Sequence, residues 1–148
     1  MSAAAEARAL VASTNVATLA TLSADGAPWA SLVAYAAPAA DGAPVLCVSD
    51  LAEHGRNLAR DARASIVVAD AVAPGADPLA AGRVTLAGTA RRTTDAAARA
   101  AYLAAVPGAE AYIDFADFTL YVLSVERVRW VGGFGRMQTV EAADYARG

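Results

Sequence analysis

The chain is nearly without the side chains that most often do chemistry. It holds one cysteine, Cys47, one histidine, His54, and no lysine, so its 12 basic residues are all arginine. A single cysteine excludes an intrachain disulfide framework and fits a reducing, cytoplasmic setting. One histidine with one cysteine excludes a zinc site of the usual type, and no metal is expected. Without lysine, every cationic contact must come from arginine. Also missing is any run of about 18 uncharged apolar residues, so no membrane-spanning helix is expected. The N-terminal MSAAAEARALVAS carries Glu6 and lacks a basic stretch before an apolar core, so it does not read as a signal peptide. The net charge of −3 gives no general pull toward nucleic acid or an anionic membrane. Hydrolase signatures are absent too: there is no GxSxG, and no carboxylate pair stands out.

What is present suits one domain over 1–148, with a core about 8–137 and a short tail. Hydrophobic residues make up 57%, but much of this is alanine, so helices resting on alanine alone are discounted. Residues 3–13 read as a short helix. VATLATL (16–22) and PWASLVAYA (28–36) read as strands joined at SADG, a hairpin signal. PVLCVS (44–49) is a third, almost wholly apolar strand. The stretch 51–61 has helical spacing, with Asp50 as N-cap and Glu53 completing a capping box. ASIVVAD (64–70) and RVTLAGTARR (83–92) return to strand, with Gly88 a bulge or close-approach point. Thr94 can cap a helix over 95–106, stopped by Pro107-Gly108. FTLYVLSVERVRW (118–130) is a long strand, followed by the glycine-rich turn VGGFGRM and a weakly helical tail. Six strands in hairpin-like succession, without βαβ alternation, predict a mainly β antiparallel barrel, closed or nearly so, with flanking helices.

Four places could hold a ligand. In SDLAEHGRNL (49–58) a helix N-terminus offers free N–H groups to a phosphate, and Arg56 adds a forked cation. His54 and Asn57 are further donors there. Taken alone, the segment reads more readily as a capped surface helix, whose dipole Asp50 and Glu53 already complement. In ASLVAYA, Ser31 could place a hydroxyl beside a flat ring, although a barrel strand explains it as well. In RVRWVGGFGRM, Gly132, Gly133 and Gly135 allow close backbone approach, and Trp130 and Phe134 could border an aromatic ligand. An exit loop with two core aromatics is the equal alternative. Arg83 opens a strand after a loop, where most arginines are simply solvated.

Together these segments resemble the FMN-binding split-barrel superfamily, the relatives of pyridoxamine 5′-phosphate oxidase. VATLATLSADGAPWASLVAYA is similar to its opening hairpin, and VLCVSDLAEHGRNLARDARASIVV to its strand–helix–strand flavin-phosphate segment. SDLAEHGRNL and GGFGR look closest to the heme-utilisation, HugZ-type branch. The resemblance implies a six-stranded split barrel and a homodimer with FMN at the subunit interface. The implied activity is that of an FMN-dependent oxidoreductase acting on a small molecule, with heme or a deazaflavin as alternative cofactors and a cofactor-free relative as a further variant. It implies Ser31, Leu32 and Val33 against the flavin ring, with Val48 and Ser49 at the strand end near ring and phosphate. It puts His54 and Arg56 at the phosphate with Asn57 beside them, and Arg83 near the ring. Trp130, Gly133, Phe134 and Arg136 would close the cleft, often from the other subunit. It names no proton donor. GGFGRM lacks the histidine that pyridoxamine phosphate oxidases use for substrate, and ADYARG ends without the heme-ligating histidine of that branch.

Overall fold

A computed structural model describes residues 1–148. The order is α1 (Ala3–Ala12), β1 (Val16–Leu22), β2 (Pro28–Ala34), β3 (Val45–Ser49), α2 (Glu53–Arg60), β4 (Arg63–Ala69), β5 (Arg83–Arg92), α3 (Ala96–Ala105), β6 (Phe118–Gly133), β7 (Arg136–Val140) and α4 (Ala142–Arg147). All strands join one antiparallel sheet in the order β2-β1-β4-β5-β6-β3, with β7 also on β6. The six expected strands form that path. A seventh, β7, stands where a weak helix was expected, and only α4 keeps the helical tail. The cause is the length of β6. One edge pairs with β5, while on the other its first residues pair with β3, leaving Val128–Gly133 to recruit a new partner.

The barrel is split. β2 and β3 meet only through the isolated bridge Ala36–Val45. Alternation sends one face of each strand inward. Leu19, Ile66, Leu86 and Leu123 are all at 0–1% exposure, and α1 and α2 close the interior with Val11 and Leu58. A smaller cluster lies on the opposite side of β3, where Tyr102, Ala109 and Ile113 pack against Val45. The chain ends are clasped to the barrel. Arg8 donates to the carbonyls of Tyr145, Ala146 and Ala39, Tyr145 donates to the Gly42 carbonyl, and Tyr35 donates to the Val11 carbonyl. No helix is long and apolar enough to cross a membrane.

Local chemistry sets the element ends. Asp95, not Thr94, caps α3: its carboxylate accepts from the Ala98 N–H, while the Thr93 hydroxyl accepts from Asp95 N–H. Pro107 opens a short 3-10 helix to Ala111 in the stretch between α3 and β6. Gly88 sits at the expected bulge. Ala87 pairs with Arg127 and Gly88 with Val125, so Glu126 is the extra residue on β6. A Cβ on Gly88 would stand 1.8 Å from the Ser124 carbonyl oxygen. Because the obstacle is backbone, Gly88→Ala is expected to destabilise by about 3 kcal/mol, read as a lower midpoint in urea unfolding.

Candidate functional site

The chain leaves β3 at Ser49 and turns into α2. The Ser49 hydroxyl donates to the Asp117 carboxylate at 2.7 Å and accepts from the Leu51 N–H. Asp50 does not cap the helix. Its N–H donates to the Asp117 carbonyl and its carboxylate accepts from the Thr119 hydroxyl, so strand-like pairing runs one residue past Ser49. The helix therefore starts at Glu53, with Ala52 as an N-cap lacking a capping side chain, and the expected capping box does not form. Gly55 lets α2 lie close to β3, since a Cβ there would be 2.0 Å from the Ser49 carbonyl oxygen. Val48 faces the barrel core at 2% exposure.

The α2 side chains are largely engaged by the protein. Arg56 is exposed and donates back to the Leu51 carbonyl at 2.6 Å. Asn57, 1% exposed, donates to the Thr21 hydroxyl and accepts from Arg60. His54 is half-buried, and desolvation lowers its pKa, which favours the neutral imidazole. Asp50, Glu53 and Asp117 thus stand near Arg56 as the only full positive charge at the start of α2. That balance opposes a phosphate dianion; the uncapped N–H groups of α2 are the feature that favours one. Cys47, on β3, is half-buried and its thiol is pushed up to about 11 by burial, which excludes it as a nucleophile at neutral pH.

The closing segment lies at the other end of the strands. Ala69 pairs with Arg83 and Arg83 with Val131, whereas α2 leads into Arg63 at the start of β4. The length of β4 separates the two regions by roughly 20 Å. Arg83 turns toward the Leu79 and Ala81 carbonyls. Arg136 pairs with Glu6 at 3.1 Å and lies 5.1 Å over the Trp130 ring, which is itself nearly buried. Gly132 fits against that indole, and Gly133, at φ 117, fits beneath the Ala80 carbonyl. Phe134 stands out at the β6–β7 tip with 66% exposure. Trp130, Gly132, Arg136, Glu6 and Asp70 line a cavity of about 830 Å³ below α1.

On β2, the alternation divides the expected ring contacts. Ser31 pairs with the core residue Leu19, and Val33 packs against the core, so both point inward. Leu32 points outward and is 77% exposed. It belongs to a row of paired residues running Leu32, Thr18, Val67, Thr85, Arg129. The neighbouring row runs Ala30, Ala20, Ser65, Ala87, Arg127. No helix covers these rows, and Thr18, Leu32, Val67, Thr85, Arg127 and Arg129 are all exposed. The face carries small and apolar residues in its middle and Arg63, Arg83, Arg127 and Arg129 around it. A hollow of about 620 Å³ opens beside Val16, Leu32 and Val67. Another of about 360 Å³ opens between Arg63 and Arg127. Sequence reasoning did not single out Arg63, Arg127 or Arg129 as site residues. The available signal was the strand alternation of RASIVVA and RVRWV, which puts Arg63, Arg127 and Arg129 on the face opposite the core residues.

Comparison with known proteins follows the same outline. A family model described as CREG, beta-barrel matches residues 1–147. The solved structure of a heme binding protein from Mycobacterium smegmatis is 59% identical, with TM-score 0.93, covering 99% of this chain and 61% of that one. The chloroplastic non-canonical heme oxygenase HOZ of Arabidopsis thaliana is 37% identical over 114 residues, 74% of this chain and 33% of that protein. A pyridoxinephosphate oxidase family structure from Clostridium acetobutylicum shares the fold at 17% identity, with TM-score 0.71 and coverage of 98% and 99%. The chain therefore spans a third of the plant protein's length and about three fifths of the mycobacterial one.

Since His54 is the single histidine, its ring protons give an isolated NMR titration, and the midpoint is expected below 6.5. The folded state disfavours imidazolium. His54's contribution to stability is therefore full above pH 6.5 and declines as the pH falls below it, a slope that His54→Gln should remove from the pH dependence of unfolding.

Proposed function

The chain belongs to the CREG β-barrel family, and on that premise we propose that it is a heme-binding module whose porphyrin lies on the bare face of the sheet. The observation that carries this reading is the exposed row Leu32, Thr18, Val67, Thr85 ending in arginine on an uncovered sheet. A flat, largely apolar surface matches a macrocycle, and guanidinium groups at its margin match carboxylates. The heme named for the mycobacterial and plant relatives supports the same ligand. The face fits the plane and the acids of the group. It offers no histidine, because His54 stands on α2, which packs against the inner side of the barrel through Leu58. Bound heme would supply redox or oxygen chemistry, while the protein orients the ring and limits its contact with water.

A flavin is the second reading, favoured by the uncapped start of α2 and opposed by the carboxylates beside it. The split-barrel resemblance supports a homodimer, with a second copy facing the same sheet. Hemin is expected to give a saturable shift of its Soret band on titration with the protein. Absence of any shift overturns the heme reading. FMN is expected to leave its fluorescence unchanged; quenching that disappears in Arg56→Ala transfers the assignment to flavin. Sedimentation is expected to give twice the chain's 15.0 kDa, and a monomer at micromolar concentration removes the dimer.

A further inference from the structure

The long strand β6 has a gap along one edge. On that edge β3 pairs as far as Val122, and β7 begins at Val128. The Leu123 N–H donates to the Pro44 carbonyl, where the chain leading into β3 turns away. Backbone groups recur on one edge at every second residue, so those of Val125 face the gap. No turn, loop or cap bond reaches them. Beside the gap stand α4 and the loop 38–43, locked together because Tyr145 donates to the Gly42 carbonyl and Arg8 to the Ala146 and Ala39 carbonyls. A hollow of about 390 Å³ opens there over β6.

Two opposite charges line this hollow without meeting. β5 and β3 lie on opposite edges of β6, so Arg91 and Asp41 reach it from opposite sides. Nine of the 12 arginines are bonded within the protein. Of the other three, Arg92 lies over the Tyr121 ring and Arg127 stands on the bare face. Arg91 is exposed over the hollow. Asp41 gives one carboxylate oxygen to the Ala43 N–H at 3.0 Å and keeps the other free. Between the two charges Ser124 adds an exposed hydroxyl. The remaining acid on this stretch of β6, Glu126, is bonded to the Thr89 hydroxyl at 2.9 Å. Val122 and Val125 on β6, with Ala142 and Ala146 on α4, make the rest of the lining apolar. A plain anion would meet Asp41 there, and a plain amine would meet Arg91. A ligand with both charges on one short frame satisfies each.

We propose that this hollow binds a free α-amino acid with a small aliphatic side chain. The Arg91 guanidinium and the Ser124 hydroxyl take its carboxylate, and the free oxygen of Asp41 takes its ammonium group. Its side chain lies on Val122, Val125 and Ala146. The site is separate from the bare face. Arg91 lies beyond Thr89, where β4 stops pairing with β5, and about 20 Å along the strand from Thr85. Neither heme nor a second copy on that face enters the argument.

The test is calorimetric titration of the full chain at pH 7 with three probes. L-Valine carries both charges, N-acetyl-L-valine only the carboxylate and L-valinamide only the ammonium. L-Valine is expected to bind saturably and at least roughly tenfold more tightly than either blocked form. Arg91→Gln is expected to erase the preference over valinamide and keep the preference over N-acetylvaline. Asp41→Asn, which retains the acceptor for the Ala43 N–H, is expected to do the converse. Arg92→Gln makes the same change of net charge away from the hollow and is expected to alter neither preference. Ser124→Trp, with its fold checked by circular dichroism, is expected to fill the hollow and abolish binding. No saturable heat with L-valine overturns the site, as does equal binding of the three probes. Equal effects of Arg91→Gln and Arg92→Gln overturn it too. Because Arg91 and Asp41 are exposed, the exchange of preferences between their variants decides the matter even if Ser124→Trp fails to fold.

Discussion

Alternation along the strands is the constraint on which the rest depends. Leu19, Ile66, Leu86 and Val128 are buried on one side of four adjacent strands. Burying a large aliphatic side chain is worth about 1.5–3 kcal/mol, so a register slip that turned that row outward would be prohibitive. With the inner row committed, the residues between have no choice of side. Thr18, Val67, Thr85 and Arg129 are placed on the outer face by the burial of their neighbours. The candidate site is thus the complement of the core.

Closure of the inner side has consequences for chemistry. α1 and α2 fill the two ends of the interior, and the Arg8–Tyr145–Gly42 contacts tie both chain ends to the same barrel. The polar groups that enter are consumed by structure: Asn57 holds Thr21, and Tyr35 holds the Val11 carbonyl. One buried hydroxyl, that of Tyr121, finds no partner, though its ring carries Arg92 above it. The interior is therefore a packed core, which leaves the outer face and the margins as the places with room for a ligand.

Much of this was legible. The strands β1 to β6, the hairpin at SADG and the bulge at Gly88 follow from β-branched runs, turn residues and a glycine inside a strand. The misreadings share a cause. Asp50 has the identity of a cap, but a strand partner at Asp117 and Thr119 claims its N–H and carboxylate first. β7 has little strand pattern of its own, because Arg136 to Thr139 are all exposed, and it exists because β6 overruns β3. The contact set Ser31, Leu32 and Val33 is a different case: the pleat sends their side chains to two faces, and what the three can present together is their backbone.

The sequence by itself determined the class of the fold, the scarcity of histidine and cysteine, the reliance on arginine and the membership of a family. Those follow from composition, from local pattern and from the order of segments, none of which needs a second element to be in place. The tertiary structure alone decided which arginines are free. A guanidinium is available only if no carboxylate, carbonyl or hydroxyl lies within reach, and those partners come from distant parts of the chain, as Glu6 does for Arg136 and Thr139 for Arg129. It also decided that Arg127 shares a hollow with Ser65 and Arg63, because that hollow is assembled from five strands and one bulge.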